Sequence, residues 1–432
     1  MRNFSRTDNE IGIGIVLVIL VISCINRIGL LFAMICLLYY FSQGMDGCIK
    51  ALMLIAIRTP FNTVLAVPIG GLQSLKWIEI FAFCGYLFLG YRFVFQKYQT
   101  ILGNVTIALI AFIFIAIMGS LFNASYPITA VFKLVSYFIA MEAIMIGVMS
   151  SYQPQKYIYF FTKIMTPIMV VSFFTIGISS LRVVNLSFQG VFNHPNMMGI
   201  MGAVYICFYI LYRKFYNRGN IIFIIIALVM IYFAESRTGM ASAVLTLILG
   251  YKSIISEKYR RYSLLIMIVA VIGIVCSWNS VTTITNEFIF KHDSTELFSS
   301  REGQIENYQA KFLAHPLLGS GFAVPYDPTI KDYSLNTALQ VEPGNLAWAV
   351  IGDCGIIGTA LFSLYLLCIF LGTYEVRWGK IILYVVPLLV SMGEMAFFSV
   401  NSIAPLYYLM LSLYMVDLED DLGEIAKVRE ND

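Results

Sequence analysis

Three arginines are the residues of this chain best suited to binding an anion. They are Arg182, Arg237 and Arg301. A guanidinium stays charged in nearly every environment, and its planar fork can hold two oxygens of a phosphate at once. Arg237 lies in a tight turn between two apolar runs, so it must either bind an anion or extend to the lipid headgroups. We therefore predict an anion-binding site supplied by these arginines.

The third arginine belongs to the long polar segment 282–344, which interrupts an otherwise apolar chain. Ser299 and Glu302 have the spacing of a capping box. Apolar residues then recur at helical spacing, namely Ile305, Tyr308 and Phe312. This pattern predicts a short amphipathic helix that carries Arg301 in its first turn and ends at His315 and the proline after it. A helix N-terminus offers free N–H groups to an anion, and Arg301 would lie beside them.

Four side chains could accept a proton from a reacting hydroxyl group, namely His194, His315, Glu342 and Asp353. A histidine titrates near neutral pH, which favours His315. His194 lies at a turn, where a single histidine more often has a structural role than a catalytic one. These residue types leave the choice of base open.

Two short motifs are expected to shape a site around these groups. Gly190–Gly199 predicts a turn that leads into a helix, with Asn196 near the helix cap. Asn345 opens a later apolar helix that contains Gly355-Ile-Ile-Gly358. Because a glycine pair of this spacing on an apolar helix normally marks a helix-packing face, we predict packing there.

The chain has no pattern typical of a metal or nucleotide site. Its three histidines are scattered, no acidic pair has ligand spacing, and it has neither a Walker loop nor a Rossmann fingerprint. Its eight cysteines lie in or beside apolar runs and lack metal or redox spacing. We predict chemistry without a metal, a cofactor or ATP.

The composition shows which elements must position these residues. Hydrophobic residues make up 59% of the 432 residues and charged residues only 12%, about half of the ~25% typical of soluble domains. We predict an all-α fold, a polytopic transmembrane bundle of about 12–14 spans in one domain, 1–432. Apolar runs lie at 11–25, 28–42, 49–66, 77–95, 101–122, 127–150, 157–181, 196–212, 220–234, 238–255, 262–281, 345–373, 380–393 and 395–416.

Lysines and arginines predict the orientation of these runs, because cytoplasmic loops carry an excess of both. Their groups fall on alternate turns and share one side if both termini are cytoplasmic: Arg2/Arg6, Lys50, Arg92/Lys97, Lys156, Arg213/Lys214/Arg218, Lys252/Lys258/Arg260/Arg261 and Arg377/Lys380. We therefore expect a multi-pass protein of the cytoplasmic membrane. Its acidic tail 417–432 would be cytoplasmic, and 282–344 would be an extracytoplasmic loop with short helices. Glu235, Glu394 and Asn401 would also lie on the outer side.

These segments together resemble the bacterial O-antigen ligases and the O-antigen, capsule and exopolysaccharide polymerases, which are integral membrane glycosyltransferases. The resemblance covers residues 185–405 and is carried by Gly190–Gly199, Ser236–Gly239, Arg301–Gly321, and Asn345 with Gly355-x-x-Gly358. One position departs from the ligases, which usually have a histidine directly before the asparagine. Here that position is Gly344, which counts against a ligase.

The resemblance implies transfer of a glycan from undecaprenyl diphosphate at the outer face of the membrane. The chemistry of such a transfer suggests roles for the predicted residues. Arg237, Arg301 and Arg182 would bind the substrate diphosphate, and His194, Asn196, Asn345 and Asp353 would shape the site. His315 or Glu342 would act as the base. Glu342 is favoured because it lies two residues before the position of the absent histidine.

Three functions follow as hypotheses. The first is a polymerase of surface polysaccharide repeat units. The second is a ligase that moves a finished glycan onto lipid A core or a protein. The third, from another class, is a flippase or transporter of lipid-linked oligosaccharide. The expected partners are the lipid-linked oligosaccharide, membrane lipid, a flippase and a chain-length regulator, and nucleic acid is not among them.

Overall fold

The computed structural model of the chain describes residues 6–178, 182–183, 187–254, 302–335, 344–373, 380–394 and 396–418. Its helices are α1 Arg6–Ile25, α2 Arg27–Leu37, α3 Gly44–Arg58, α4 Gln73–Phe88, α5 Gln96–Asn123, α6 Pro127–Met149, α7 Gln155–Phe174, α8 Pro195–Tyr216, α9 Ile222–Phe233, α10 Arg237–Ile254, α11 Glu302–Ala314, α12 Leu346–Leu371, α13 Ile381–Ser391 and α14 Ala404–Met415. Short 3-10 turns cover Leu38–Gln43, Ile69–Leu72 and Leu89–Phe93, and a two-stranded ribbon pairs β1 Arg182–Val183 with β2 Ser187–Phe188.

The helices follow the apolar runs and confirm an all-α polytopic bundle. Within the described ranges, seven helical stretches are long and apolar enough to cross a membrane, and four shorter apolar helices accompany them. A helix lies in every predicted run except 262–281, which is outside the described residues. Lipid offers no hydrogen-bond partners, so helices satisfy the backbone of such a chain within each segment.

Two predicted runs are wrong in their bounds. The run 49–66 contains a helix only as far as Arg58, because Thr59 and Pro60 end it. The run 395–416 becomes helical only at Ala404, and turns occupy most of 396–403. Both departures leave irregular backbone at the same end of the bundle.

The opposite end of the bundle collects basic groups. Lys156 forms an ion pair with Asp46. Gln155 and Lys380 each donate a hydrogen bond of 2.6 Å to a backbone carbonyl of the segment 416–418. We call this the basic end; it holds residues 44–50, 90–98, 149–156, 213–220, 380 and 416–418. Five of the seven basic groups predicted to share one side lie wholly or partly here.

The other end, which we call the motif end, holds residues 58–62, 123–127, 187–196, 235–239, 315–327, 344–347, 393–394 and 396–401. Backbone hydrogen bonds of 2.8 Å join Asn193 to Pro60 and Asn62 to Val191. The motifs Gly190–Gly199, Ser236–Gly239 and 315–321 therefore meet at one end of the bundle. In the sequence, 36 residues separate the first of these motifs from the second, and 75 separate the second from the third.

A break in α12 is the main irregularity at this end. Gly355 has φ +65° and ψ −170°. The N–H groups of residues 356 and 357 therefore do not donate to the carbonyls of residues 352 and 353, as they would in a continuous helix. The turn 315–321 replaces them. The N–H groups of Ile356 and Ile357 donate to Pro316 and Leu317 at 2.9 and 3.2 Å.

The turn also satisfies the two carbonyls that the break releases. Ser320 N–H donates to the carbonyl of Gly352, and Gly321 N–H to that of Asp353, both at 3.2 Å. The prediction of an ordinary helix-packing face at Gly355 is therefore wrong. That glycine is required because it breaks the helix and lets the turn enter.

A buried ion pair holds the turn in this break. Lys311 of α11 lies 2.7 Å from an oxygen of the Asp353 carboxylate, and both side chains are 3% exposed. The second carboxylate oxygen accepts from the Ala323 N–H at 2.8 Å, and Lys311 also donates to the Val324 carbonyl at 2.7 Å. Both charges of this ion pair are thus paired and hydrogen-bonded, as burial requires.

We expect Gly355→Ala to destabilise the protein by about 2 kcal/mol or more. An L residue is strained at positive φ, and a Cβ there would lie 2.6 Å from the backbone of Leu317 and Gly319. The measurement is the midpoint of thermal unfolding of the purified protein in detergent.

Gly103→Ala is the matched control, because Gly103 lies inside α5 and a Cβ there meets nothing within 4 Å. It should leave the midpoint unchanged or raise it, since alanine favours a helix by about 1 kcal/mol over glycine. Equal midpoints for the two variants would contradict the importance of the break.

Candidate functional site

The crossing of α8 and α10 brings two of the predicted motifs into contact. A Cβ on Gly199 would overlap the Ser236 side chain, and one on Gly239 would lie 2.7 Å from the backbone of Gly199. Small residues at these positions let the helices approach closely. The first turns of both helices consequently lie side by side at the motif end.

A carboxylate from the C-terminal part of the chain joins this pair of helices. The Asn196 amide donates to a carboxylate oxygen of Glu394 at 2.5 Å. The neighbouring Gly393 packs directly against Thr238, leaving no room for a Cβ. The sequence placed Glu394 on the outer side but did not indicate its role. The sequence indicated this residue only as a carboxylate within an apolar C-terminal run.

Arg237 begins α10 and is half-buried. The residue before the motif, Glu235, has φ +51° and accepts a hydrogen bond from the Ser187 hydroxyl at 3.0 Å. That turn directs the chain from α9 into α10 and leaves Arg237 in the first helical turn, beside free N–H groups. A guanidinium at a helix N-terminus suits a phosphate oxygen.

His194 caps α8. Its Nδ1 accepts the N–H of Asn196 at 3.1 Å, and its side chain is exposed. This contact uses the nitrogen that would have to be free of a proton in a base. It favours the structural role for His194 and gives Asn196 a fixed position from which to hold Glu394.

The second group of predicted residues surrounds the break in α12. His315 follows the last residue of α11, and its Nε2 lies 3.4 Å from the Tyr326 hydroxyl, with the two rings perpendicular. The side chain is half-buried, so it remains accessible. Asp353 is enclosed and paired with Lys311, an arrangement that favours a shaping role over proton abstraction.

Asn345 caps the first turn of α12. Its side-chain oxygen accepts the N–H of Trp348 at 3.3 Å, from a backbone with φ +92°. The predicted amphipathic helix is present as α11, and it ends before His315 as expected. The described part of this helix begins at Glu302, and Arg301 lies outside the described residues, so its place in the first turn stays a prediction.

Some predicted residues cannot be placed. Arg301 and Glu342 lie outside the described residues, as do the capping residue Ser299 and His292. Arg182 lies in β1, but its side chain is also outside the described part. Their roles stay predictions.

Hydrogen bonds and burial set the charge of the polar groups around the turn. The hydroxyl and N–H of Thr329 lower the pKa of Asp327, and the N–H and hydroxyl of Ser334 lower that of Asp332. Both carboxylates therefore stay ionised and shape the loop. Burial raises the pKa of Tyr308 far above its usual value, so this phenol stays neutral.

Across the described ranges, no three His, Cys, Asp or Glu side chains lie close enough to hold a metal ion. Arg301, Glu342 and much of 282–344 lie outside the described residues, so catalysis without a metal stays a prediction.

We expect His194→Ser to keep nearly full activity, because serine is a good N-cap and cannot act as a base at neutral pH. His194→Ala should lower the free energy of unfolding by about 1 kcal/mol through loss of the cap. The measurements are thermal unfolding in detergent and polymer formation at matched protein levels. Loss of activity in the stable serine variant would instead indicate a catalytic histidine.

The comparison with protein families covers one segment of the chain. Residues 222–363 match the family described as O-Antigen ligase, a range that covers α9 to α12 and so contains Arg237, His315, Asn345 and the break at Gly355. No curated protein matches the chain. The match confirms the resemblance predicted from the motifs: over residues 222–363 this chain is similar to the family described as O-Antigen ligase.

Proposed function

We propose that this protein polymerises repeat units of a surface polysaccharide. It would transfer the growing glycan from undecaprenyl diphosphate to a sugar hydroxyl at the outer face of the cytoplasmic membrane of a bacterium. The main support is Arg237 in the first turn of α10, inside the family-matched segment and at the same end of the bundle as the hydrogen-bonded Asn196 and Glu394.

The reaction needs little beyond binding and one proton transfer. The acceptor oxygen attacks the anomeric carbon, the bond from that carbon to the diphosphate oxygen breaks, and the diphosphate leaves with its electron pair. The acceptor proton passes to a base. Arginine stabilises the charge that grows on the leaving group, and stronger binding of that charge in the transition state accelerates the reaction.

Arg237 and Arg301 are the proposed diphosphate ligands, with Arg182 as a third. Arg237 lies in the first turn of α10, and the capping-box spacing of Ser299 and Glu302 predicts a similar place for Arg301 in the helix that follows. His315 and Glu342 are the proposed bases. His315 is accessible at the motif end, and Glu342 lies three residues before the Asn345 cap.

Gly344 supports a polymerase over a ligase, because the ligase histidine is absent at that position. The transport hypothesis has one observation in its favour. Glu142 is buried in α6, where Thr106 donates to it at 3.0 Å, and membrane-embedded carboxyls often belong to transport pathways. A turnover assay separates these hypotheses, because only a polymerase makes a ladder of products.

The membrane orientation completes the proposal. With the basic end in the cytoplasm, as the lysine and arginine excess favours, the motif end faces outward. A flippase would deliver substrate to that side, and a chain-length regulator would act beside it.

Purified protein in liposomes should convert a lipid-linked repeat unit into a ladder of longer glycans. Arg237→Lys and Arg301→Lys should each lower the rate by at least about tenfold, because an ammonium keeps the charge but loses the two-pronged contact. Arg213→Lys is the control, since Arg213 lies at the basic end.

Normal chain length in both lysine variants would contradict diphosphate binding. Transfer of a finished glycan in a single step would indicate a ligase. Movement of the lipid-linked unit across the bilayer without elongation would indicate a transporter.

Alanine at His315 or Glu342 should lower turnover by at least tenfold, about 1.4 kcal/mol of barrier, without loss of folded protein. His292→Ala should keep activity, because His292 lies in no motif. The wild type should also work in the presence of a chelator, since we propose arginines in place of a metal. Full activity in both alanine variants would exclude these bases, and loss of activity with the chelator would require a metal.

A further inference from the structure

A groove lies between α1, α2, α3 and α4, away from the family-matched segment. Its walls are aliphatic over most of their length, with Val16, Leu20, Leu30, Ala33, Met34 and Ile55 among them. Three charged side chains also line it: Arg58, Lys76 and Glu79. Apolar walls with a few convergent polar groups are typical of a ligand site.

Arg58 is a buried cation with neutral partners. It is 6% exposed, and it donates to the Ser23 hydroxyl at 2.9 Å, the Ser23 carbonyl at 3.0 Å and the Val67 carbonyl at 2.7 Å. These bonds use Nε and Nη2, and its guanidinium lies over the Phe61 ring. Within the described ranges no carboxylate contacts it, and Nη1 makes no hydrogen bond. A buried charge of this kind normally has a counter-ion.

Two further groups lie at the same end of the groove. Lys76 and Glu79 are each 2% exposed and one turn apart near the start of α4. Lys76 donates to the carbonyl of Asn401. This end of the groove therefore carries two cations, Arg58 and Lys76, and the Glu79 carboxyl. One oxygen of that carboxyl is buried without a hydrogen-bond partner in the described part of the chain.

This charged end adjoins the candidate functional site. Arg58 is the last residue of α3, and the next residues connect to the Gly190–Gly199 motif through the Asn193–Pro60 and Asn62–Val191 backbone bonds of 2.8 Å. The Phe61 and Phe192 rings also pack edge to face at 6.1 Å. A molecule with its polar group at Arg58 would thus lie next to the segment that holds Asn196.

The apolar part of the groove matches the depth of one membrane leaflet. Its wall on α2 runs from Leu30 to Leu37, about 10 Å at 1.5 Å per residue, and continues to Tyr40. One leaflet contributes about 15 Å of hydrocarbon. Side chains on the outer surface of α1 and α2 are apolar and exposed, such as Val21 and Ile35, as expected next to lipid.

We propose that this groove binds the hydrocarbon chain of a polyprenyl phosphate lipid, with a phosphate oxygen at Arg58. The choice of a polyprenyl chain over another anionic lipid rests on the proposed function, because the charged end adjoins the candidate site. The groove would place the carrier chain beside the motif end, and the phosphate would supply a counter-ion to Arg58, which contacts no carboxylate in the described part of the chain.

Native mass spectrometry of the full-length protein tests this with undecaprenyl monophosphate, which has no sugar to transfer. Ala33→Phe fills the groove and Arg58→Gln removes the charge, so each should weaken binding at least about tenfold. Ile35→Phe adds the same ring on the outward face of α2 and should bind within about twofold of the wild type. In the wild type, a photoreactive polyprenyl phosphate should label α1 or α2.

If a variant fails to fold, photolabelling of the wild type still tests the site. Unchanged binding in a folded Ala33→Phe protein, or labelling confined to other helices, would overturn the site. Equal binding of dioleoylphosphatidylglycerol, weakened by the same variants, would also overturn it and identify a phospholipid groove.

Turnover of the lipid-linked repeat unit is measured separately. If the wild type elongates glycans but the Ala33→Phe variant still binds the probe as the wild type does, the groove proposal is wrong and the proposed function stands. If the wild type binds the probe in the groove but does not elongate glycans, the lipid site stands and the polymerase proposal is wrong.

Discussion

The need to satisfy every backbone polar group inside an apolar bundle governs the architecture around the candidate site. The break at Gly355 releases two N–H groups and two carbonyls in α12, and lipid could not satisfy them. The turn 315–321 supplies all four partners. The position of His315 is therefore determined by hydrogen bonds that the break creates, and the turn and the broken helix form one unit.

The N-terminal helices, which lie outside the family-matched segment, hold this unit in place. Asn123 at the end of α5 donates to the Gly319 carbonyl at 2.9 Å, and Lys133 of α6 donates to the Ala323 carbonyl at 2.6 Å. The helices that read only as generic hydrophobic runs thus form part of the site's framework. Together with Arg58, they provide cations at the motif end that an assignment from the family motifs alone misses.

Secondary structure was largely predictable because the membrane leaves few alternatives to helix. Apolar runs located the described helices, and Pro316 with the apolar stripe of α11 located the short helix in the polar segment. The errors fall where tertiary contacts override local pattern. The glycine spacing at Gly355 indicates helix packing in isolation, and only the approach of the turn 315–321 converts it into a break.

The sequence by itself determined the all-α membrane class, the family resemblance and the residue types available for an anion site, because these follow from composition, periodicity and motif order. Tertiary structure decided which of those residues meet. It joined Asn196 to Glu394 and enclosed Asp353 with Lys311. It also left Arg58 with neutral partners in an apolar groove. Contacts between residues so far apart in the chain depend on helix packing, which no local pattern encodes.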